Sequence, residues 1–437
     1  MAIGIGLLGL GTVGAGVAGI LATPEGRHPL VRDLVLRRVA VRDPARPRPV
    51  ELPAELITTS PEAVVDDPAV EIVVEVMGGL EPARSLILRA IAAGKPVVTA
   101  NKAVIARHGE EIAAAAAAQG VYVLIEAAVG GGIPIIEPLK QSLGGNRIRR
   151  VSGIINGTTN YILSRMAEEG AAYAAVLADA QRLGYAEADP AADVQGGDAA
   201  DKIAILAGLA YGGPVPRAAI PTEGIDRLDA RDVAYADRLG FVVKLLAVAE
   251  RVGEVAPAES EQPLDVRVHP TLLPRQHPLA GVNGVNNAIL VEGDPVGQVM
   301  FYGPGAGAGP TASAVVADIL NIAGIRQVGG AGPAGLDPLL AASSWRRCTL
   351  VDGSDTRHRN YVRLQTRDEP GVIGRIGTCF GEAGVSIQSI VQFEADDPVA
   401  EIVVVTHEVR ESQFRQALAA ISQLPEVQSV AACLRTL

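Results

Sequence analysis

The chain has 437 residues, and 38 basic against 49 acidic side chains give a formal net charge of -11. At about 150 residues per domain this length predicts two or three domains, and a composition 48% apolar and 20% charged excludes an intrinsically disordered chain. The acidic balance and the 3% aromatic content argue against nucleic acid or a membrane surface as a partner, which leaves small molecules.

Cys348, Cys379 and Cys433 are too few and too scattered for a disulfide framework, and no CxxC or His/Cys cluster offers a zinc site. A reducing cytoplasm is the expected setting. The start, Met1 to Leu10, is apolar but lacks a basic n-region and runs straight into a glycine loop, so no signal peptide is expected. No apolar run is expected to reach the ~18 to 20 residues that span a bilayer, because Glu126 interrupts the longest candidate.

In chain order, short β-rich runs alternate with helix-length stretches up to Glu126. They are Ile3 to Leu8, Thr12 to Leu21, Leu34 to Val41, Ile72 to Val76, Ala83 to Ala93, Pro96 to Thr99, Ala103 to Gln119 and Val121 to Ile125. Apolar strands separated by helices predict a parallel sheet covered on both faces, a doubly wound α/β domain. From about Ala127 to Gly297 longer helices take over, at Asn160 to Glu169, Tyr173 to Leu183 and Ala199 to Tyr211, followed by strand-like runs at Ala247 to Val252 and Leu264 to Val268. This predicts an α+β substrate domain. Thr311 to Gly324 reads as a helix packing back on the first domain, and the Gly/Pro-rich Gly329 to Asp337 as the start of a linker.

The last segment follows its own plan. Tyr361 to Thr366, Val385 to Gln392, Glu401 to His407 and Val427 to Leu434 read as strands, with helices at Gly371 to Ala383 and Glu411 to Leu424. The order βαββαβ predicts a separate ferredoxin-like domain. The expected division is 1–128, completed by about 300–328; 129–299; a linker over 329–358; and 359–437.

Gly9-Leu10-Gly11-Thr12-Val13-Gly14 is GxGxxG between a strand and a helix. Glycines there permit a tight turn and close approach of backbone to a pyrophosphate held at the positive helix N-terminus, the signature of a Rossmann dinucleotide site. In a chain with 49 glycines the bare pattern is weak; its strand-loop-helix context makes it strong. At the end of the second strand, Arg42 can hold a 2′-phosphate bidentately, with Arg46 and Arg48 adding charge, whereas Asp43 suits a free 2′-hydroxyl. NADP(H) is therefore favoured over NAD(H), the alternative being a solvated basic loop.

Asn101-Lys102 follows a strand and so lies at the carboxyl end of the sheet, where such folds bind ligands. Asp198 and Lys202 stand four apart at a helix start, on one face, and Glu187 lies in the loop leading to them, within Gly184-Tyr185-Ala186-Glu187-Ala188-Asp189-Pro190. The carboxylates can grip an ammonium group, and a lysine beside a second cation such as Lys102 would have a lowered pKa and could exchange a proton near neutral pH. The plain alternative is an acidic helix start with an i,i+4 ion pair. Asn156-Gly157-Thr158-Thr159-Asn160 and Gly303-Pro304-Gly305-Ala306-Gly307 are a polar loop and a glycine loop, neither specific alone.

Together these pieces resemble the homoserine dehydrogenases. The run from Ala180 through Gly184, Asp189-Pro190, Asp193-Val194, Gly196 and Asp198 to Lys202 follows that family's signature, and GLGTVG, TANK, EAAVGGGIP, NGTTN, GVNNAI and FYGPGAG stand in its order over nearly residues 1 to 325. The resemblance implies reversible NAD(P)-dependent interconversion of L-aspartate 4-semialdehyde and L-homoserine. It implies Lys202 as general acid/base with Lys102 as its partner; Glu187, Asp198 and Lys202 at the substrate; and the GxGxxG residues, Arg42, Lys102, Gly184, Glu187 and Gly303 at the cofactor. It further implies a monovalent cation, Na+ or K+, on the main-chain oxygens of Glu126, Val129, Gly131 and Ile133. Gly197 departs from the aliphatic residue common before the signature Asp, which adds backbone freedom at the helix start.

Asp368-Glu369-Pro370-Gly371-Val372 with Gly384 to Gln392 resembles an ACT domain. That resemblance implies feedback inhibition by L-threonine, with Asp368, Gly371, Val372 and Gln392 as candidate contacts, or else a role in oligomerisation alone. A homodimer or homotetramer is expected, and no aspartate kinase domain is expected ahead of a nucleotide loop that begins at residue 9. Two rival enzymes fit less well. A phosphoglycerate dehydrogenase needs a catalytic His paired with a carboxylate, and an aspartate semialdehyde dehydrogenase needs a cysteine in its middle domain, whereas all three cysteines follow residue 345. A nucleotide-binding sensor without turnover would leave the lysine pair unexplained.

Overall fold

The structure, a computed structural model, describes residues 2–257, 260–327, 348–393 and 399–436. Six strands, β1 (Ile3–Leu8), β2 (Leu34–Ala40), β3 (Ile57–Thr58), β4 (Ile72–Glu75), β5 (Val97–Thr99) and β6 (Val123–Leu124), make one parallel sheet in the order β3-β2-β1-β4-β5-β6. This is the Rossmann order. Every residue of β1 and β4 is buried, which is why these strands read as unbroken apolar runs. Helices α1 (Thr12–Ala22), α2 (Pro61–Val65), α3 (Ala83–Ala92) and α4 (Lys102–Gln119) cover the sheet, the first on one face and the other three on the opposite face. The very short β3 and α2 are additions to the sequence expectation.

Beyond residue 129 come α5 (Gly157–Glu169), α6 (Tyr173–Arg182), α7 (Ala191–Val194), α8 (Gly197–Tyr211) and α9 (Ala230–Arg238). They accompany an antiparallel sheet of β7 (Arg147–Ile154), β8 (Phe241–Arg251), β9 (Gln262–Pro274), β10 (Asn286–Asp294) and β11 (Gly297–Pro304), ordered β11-β10-β7-β8-β9. The expected runs Ala247 to Val252 and Leu264 to Val268 fall on the second half of the longer β8 and the first half of the longer β9. Charged residues such as Arg147, Arg149 and Glu292 obscured β7 and β10, whose charges pair across the sheet, Arg149 with Glu292 at 2.9 Å.

Helix α10 (Ala308–Gln327) returns to the first sheet and packs beside α1 through Ala312, Val315, Ile319 and Ile322. Its segment Ala308–Arg326 is long and apolar enough, by length and composition, to cross a membrane, which corrects the expectation that no run reaches that length. The apolarity belongs to a core helix: its apolar side chains join the buried cluster under the sheet, and Asp318 at its middle, 1% exposed, accepts the backbone N–H of Glu126 at 2.9 Å.

The C-terminal segment starts with β12 (Cys348–Leu350), then β13 (Arg357–Arg367), α11 (Val372–Glu382), β14 (Ile387–Phe393), β15 (Val399–Thr406), the short β16 (Val409–Arg410), α12 (Glu411–Ile421) and β17 (Val427–Thr436). This is the expected βαββαβ plan with strands ordered β17-β13-β15-β14 and a core of its own around Phe380 and Phe414. Its sheet does not stand apart, however. β17 pairs in parallel with β9 through Arg435 with Thr271 and Thr436 with Leu272, so the two sheets run on as one. The linker start expected at Gly329 to Asp337 lies outside the described residues.

Candidate active site

The nucleotide loop is shaped for a ligand that lies against backbone. Gly9 has φ +104°, and a Cβ there would meet Val76 O at 2.9 Å; a Cβ on Gly14 would meet Gly9 O at 2.2 Å. At Gly11, by contrast, a Cβ would meet nothing within 4 Å, and Gly11 caps α1 without a side-chain hydrogen bond. The first-turn N–H groups of α1 are thus free to receive an anion in an open cradle. Leu10 is buried beneath the loop, while Thr12 is exposed at its mouth and Val13 packs partly beneath it. Arg42 is exposed just past β2 with no hydrogen bond or ion pair among the described residues, while Asp43 accepts the N–H of Ala45 at 2.9 Å in a turn of its own.

Lys102 begins α4 immediately after β5, and its turn is braced from below. The buried Glu75 at the end of β4 accepts the Thr99 hydroxyl at 2.6 Å and the Met77 N–H at 2.8 Å. Asn101 caps α4 by accepting Val104 N–H at 3.3 Å and donates to Gly79 O at 2.7 Å. So held, Lys102 reaches the other layer: its Nζ lies 2.7 Å from Oδ1 of Asp198. Lys202, one turn further along α8, donates to Oδ2 of the same carboxylate at 2.7 Å and to Ile155 O at 2.7 Å. One carboxylate therefore sits between two ammonium groups brought from two domains.

Asn156 completes the arrangement. Its side-chain NH2 donates to Asp198 Oδ2 at 2.9 Å and to Asp193 Oδ1 at 2.7 Å, while its Oδ1 caps α5 through Thr159 N–H at 2.9 Å. Thr158 donates its hydroxyl to Tyr185 O at 2.6 Å and faces Asp193 Oδ2 at 3.3 Å. Burial opposes the charge of Asp198, but Lys202 and Lys102 outweigh it and hold its carboxyl well below the usual carboxylate range. Burial lowers the pKa of Lys202 below that of an ordinary lysine, and the charge of Lys102 adds to the effect against the pull of Asp198. For Lys102 burial is likewise unfavourable to charge, but Asp198, Asp193 and Asp201 prevail and its pKa is raised. The two lysines are driven apart, one a fixed cation and the other a group able to give and take a proton.

Not every expected residue joins this cluster. Glu187 and Gly184 are exposed on the loop after α6, and no hydrogen bond or ion pair links the Glu187 carboxylate to the lysines among the described residues. Gly303 on β11 pairs with Asn287 and approaches the loop of Glu126 to Ile133, where its Cβ would touch Ile133 Cγ1 at 3.4 Å. In that loop Gly131 has φ +58°, and a Cβ would meet Gly305 O at 2.3 Å. Glu126, Val129, Gly131 and Ile133 are buried in this tight glycine-rich turn. Main-chain carbonyls gathered in a buried turn are the ligand type that suits a hard cation. The Glu126 carboxylate has other work, accepting the N–H groups of Ile135, Ile136 and Glu137 at 2.6 to 2.8 Å.

In the C-terminal module, Gln392 donates to Asp368 Oδ1 at 3.0 Å, so two residues expected at an effector site are in contact. Beside them Gly371, at φ +92°, caps α11 without a side-chain hydrogen bond, and Val372 begins that helix.

The sequence reading missed Glu75, Asp318 and Lys244. The buried Lys244, whose pKa burial lowers to about 8, donates to Asn160 Oδ1, Val282 O and Asn283 Oδ1 and so stitches NGTTN to the turn just before GVNNAI. A charged residue within an apolar strand was the available signal for both Glu75 and Lys244. A cavity of about 520 Å³ lies between α4 and α8 and is lined by residues such as Ile105, Ile112 and Ile205, away from the lysine pair. Burial pushes the thiol of Cys433 up to about 12 and raises that of Cys379, so neither is poised as a nucleophile.

The family model described as homoserine dehydrogenase matches residues 134–320, its NAD-binding domain 9–126 and the ACT domain 360–426. A homoserine dehydrogenase of Synechocystis sp. is 59% identical over 437 residues, covering 100% of both chains. The chain belongs to the homoserine dehydrogenase family. As a homoserine dehydrogenase it is an NAD(P)-dependent oxidoreductase with an ACT domain at its C-terminus. The crystal structure of a homoserine dehydrogenase from Thiobacillus denitrificans superposes with a TM-score of 0.90 at 42% identity, over 100% of this chain and 98% of that one. A hyperthermophilic archaeal homoserine dehydrogenase in complex with NADPH aligns with 74% of this chain and 98% of its own, at 29% identity and a TM-score of 0.61.

Proposed function

We propose that this enzyme reduces L-aspartate 4-semialdehyde to L-homoserine, and runs the reverse reaction, with Lys202 as general acid and base. The observation that carries the roles is the Lys102–Asp198–Lys202 cluster, in which Asp198 holds both ammonium groups at 2.7 Å. When bound, the dinucleotide supplies or accepts the hydride at the carbonyl carbon. Lys202 delivers its proton to the oxygen as the carbonyl becomes an alkoxide, and retrieves it in the reverse direction. A lysine with a lowered pKa gives up that proton more readily than an ordinary one. Lys102, kept charged, faces the developing negative oxygen and steadies it. Asp198 positions both lysines, and Glu187 with Asp198 receives the substrate's amino group or hydroxyl once the exposed 184–190 loop meets the ligand.

The cofactor reading is NADP(H) over NAD(H), supported by the exposed Arg42 guanidinium, unpaired among the described residues, beside an Asp43 engaged in its own turn. Gly9 to Gly14 would hold the pyrophosphate, and Gly184, Glu187 and Gly303 would line the cofactor. A monovalent cation on the oxygens of Glu126, Val129, Gly131 and Ile133 would brace the seam between the layers. L-Threonine is the effector this reading assigns to Asp368, Gly371, Val372 and Gln392. Domains of 1–128 with about 300–328, 129–299 and 359–437, a homodimer or homotetramer, and a cytoplasmic setting complete the reading.

The test is the loss of NADPH absorbance with L-aspartate 4-semialdehyde, with and without L-threonine. Turnover suppressed by threonine is expected. Turnover indifferent to threonine would make the ACT module an assembly element, and no turnover from protein that still binds NADPH would overturn the catalytic reading.

A further inference from the structure

The seam between the catalytic sheet and the ACT module encloses a second cavity, of about 60 Å³. Its walls come from four stretches of chain: Ala219 to Glu223 before α9, Asp265 to His269 on β9, Gly353 to His358 leading into β13, and Arg435 on β17. A water molecule needs ~10 to 15 Å³ of such space, so this cavity takes a few waters or one compact polyatomic ion.

Its chemistry is that of an anion receptor. Arg267, 7% exposed, donates Nε to His269 Nε2 at 2.9 Å and pairs through Nη1 with Asp265. Arg435 pairs through Nη1 with Glu223 at 2.8 Å and through Nη2 with Glu411 at 3.2 Å. A guanidinium carries five N–H donors in a planar fork, so each arginine has donors in hand after these contacts. Thr356 adds a hydroxyl, 2.7 Å from His358 Nε2. The rings of His269 and His358 meet edge to face with centroids 6.3 Å apart. Burial, reinforced by Arg267 and Arg435, keeps both imidazoles from protonating: His269 falls well below the ordinary value and His358 to about 3. Glu223, with a side chain 48% exposed, is the one anionic wall that can swing into solvent and yield its place on Arg435.

We propose that this cavity is a binding site for one small oxyanion, either inorganic phosphate or the carboxylate of a free amino acid, held between Arg267 and Arg435 with Thr356 and His358 as neutral partners. The site is separate from the Asp368/Gln392 loop at the opposite end of β13. An occupant there would bear on catalysis through short connections. Glu223 N–H donates to Val268 O at 2.8 Å and Ile225 N–H to Val194 O at 2.8 Å, and a Cβ on Gly196 would meet Thr222 Cγ2 at 3.0 Å. Gly196 caps α8, the helix that carries Asp198 and Lys202.

The experiment is isothermal titration and thermal unfolding of the full-length enzyme saturated with NADPH, so that the cofactor's own phosphate sites are filled. Inorganic phosphate is titrated in one arm and acetate, a bare carboxylate that offers the Asp368/Gln392 site no amino acid, in the other. Two variants report location: Arg435→Met removes one guanidinium, and Gly353→Leu places a bulky side chain on the cavity's lining, where a Cβ meets nothing within 4 Å. Binding in either arm that weakens at least ~10-fold in both variants, with unchanged kcat, supports the site and names its source. No binding in either arm, or binding that both variants retain, overturns it.

Discussion

Two buried charge clusters sit on either side of the catalytic layer, built from the same kinds of groups and tuned to opposite ends. In the first, Asp198 lies between Lys102 and Lys202, and the cluster is open on one side, the Lys102 side chain being 39% exposed. In the second, Arg363 on β13 lies between Asp232 of α9 and Glu401 of β15, at 2.6 and 2.7 Å, with all three side chains no more than 3% exposed. Tyr361 adds its hydroxyl to Asp232 at 3.2 Å, Tyr235 adds its own to Glu401, and the Tyr235 ring stacks on Phe393 with centroids 4.3 Å apart. The sealed cluster clamps the ACT sheet onto α9. The open one leaves Lys202 less able to stay protonated than a free lysine, which is the property a proton carrier needs.

This contrast can be broken by substitution. Lys202→Ala should lower kcat by ~10² to 10⁴, the range of general acid-base catalysis, with NADPH affinity by fluorescence nearly intact; a variant keeping more than about a tenth of wild-type kcat removes Lys202 from that role. Arg363→Met strands two buried carboxylates and should cost about 3 to 5 kcal/mol of stability in denaturant unfolding. A loss below about 1 kcal/mol would mean that the clamp is wet and weak. On the cofactor side, Arg42→Ala should shrink the preference for NADPH over NADH by about tenfold in kcat/KM, and equal values for both cofactors in the wild type would sink that reading. On the ACT side, Gln392→Ala should give the smallest change, a threonine inhibition curve displaced several-fold with kcat unaltered. An undisplaced curve would take Gln392 out of the effector site.

The sequence disclosed whatever is written locally. The GxGxxG loop stands between an apolar strand and a helix, and Asp198 and Lys202 share a face at i,i+4, so both were legible. Pairings across long separations were not. Nothing near Arg363 announces Asp232 or Glu401, and nothing in the run ending at Thr436 announces that it pairs with β9. Glu75 and Asp318 were hidden by their apolar neighbours, since a single carboxylate in a buried run reads as noise until its partners, Thr99 and the N–H of Glu126, are seen. The apolarity of α10 was underestimated because the longest apolar run was placed around Glu126, whereas the run long enough to span a bilayer is Ala308–Arg326, whose Asp318 is itself buried in the core. Glu187 shows the opposite limit, a residue placed by motif that the structure leaves in solvent.

The most direct test of the central claim is the pH dependence of kcat in both directions, in the wild type and in Lys102→Ala. Reduction needs protonated Lys202, so its kcat should fall as pH rises through a pKa below the ordinary lysine value of 10.5, and oxidation should rise through the same pKa. Removing the neighbouring charge of Lys102 should move both limbs to higher pH. Limbs that do not mirror each other, or that stay in place in Lys102→Ala, would contradict the assignment of the proton to Lys202.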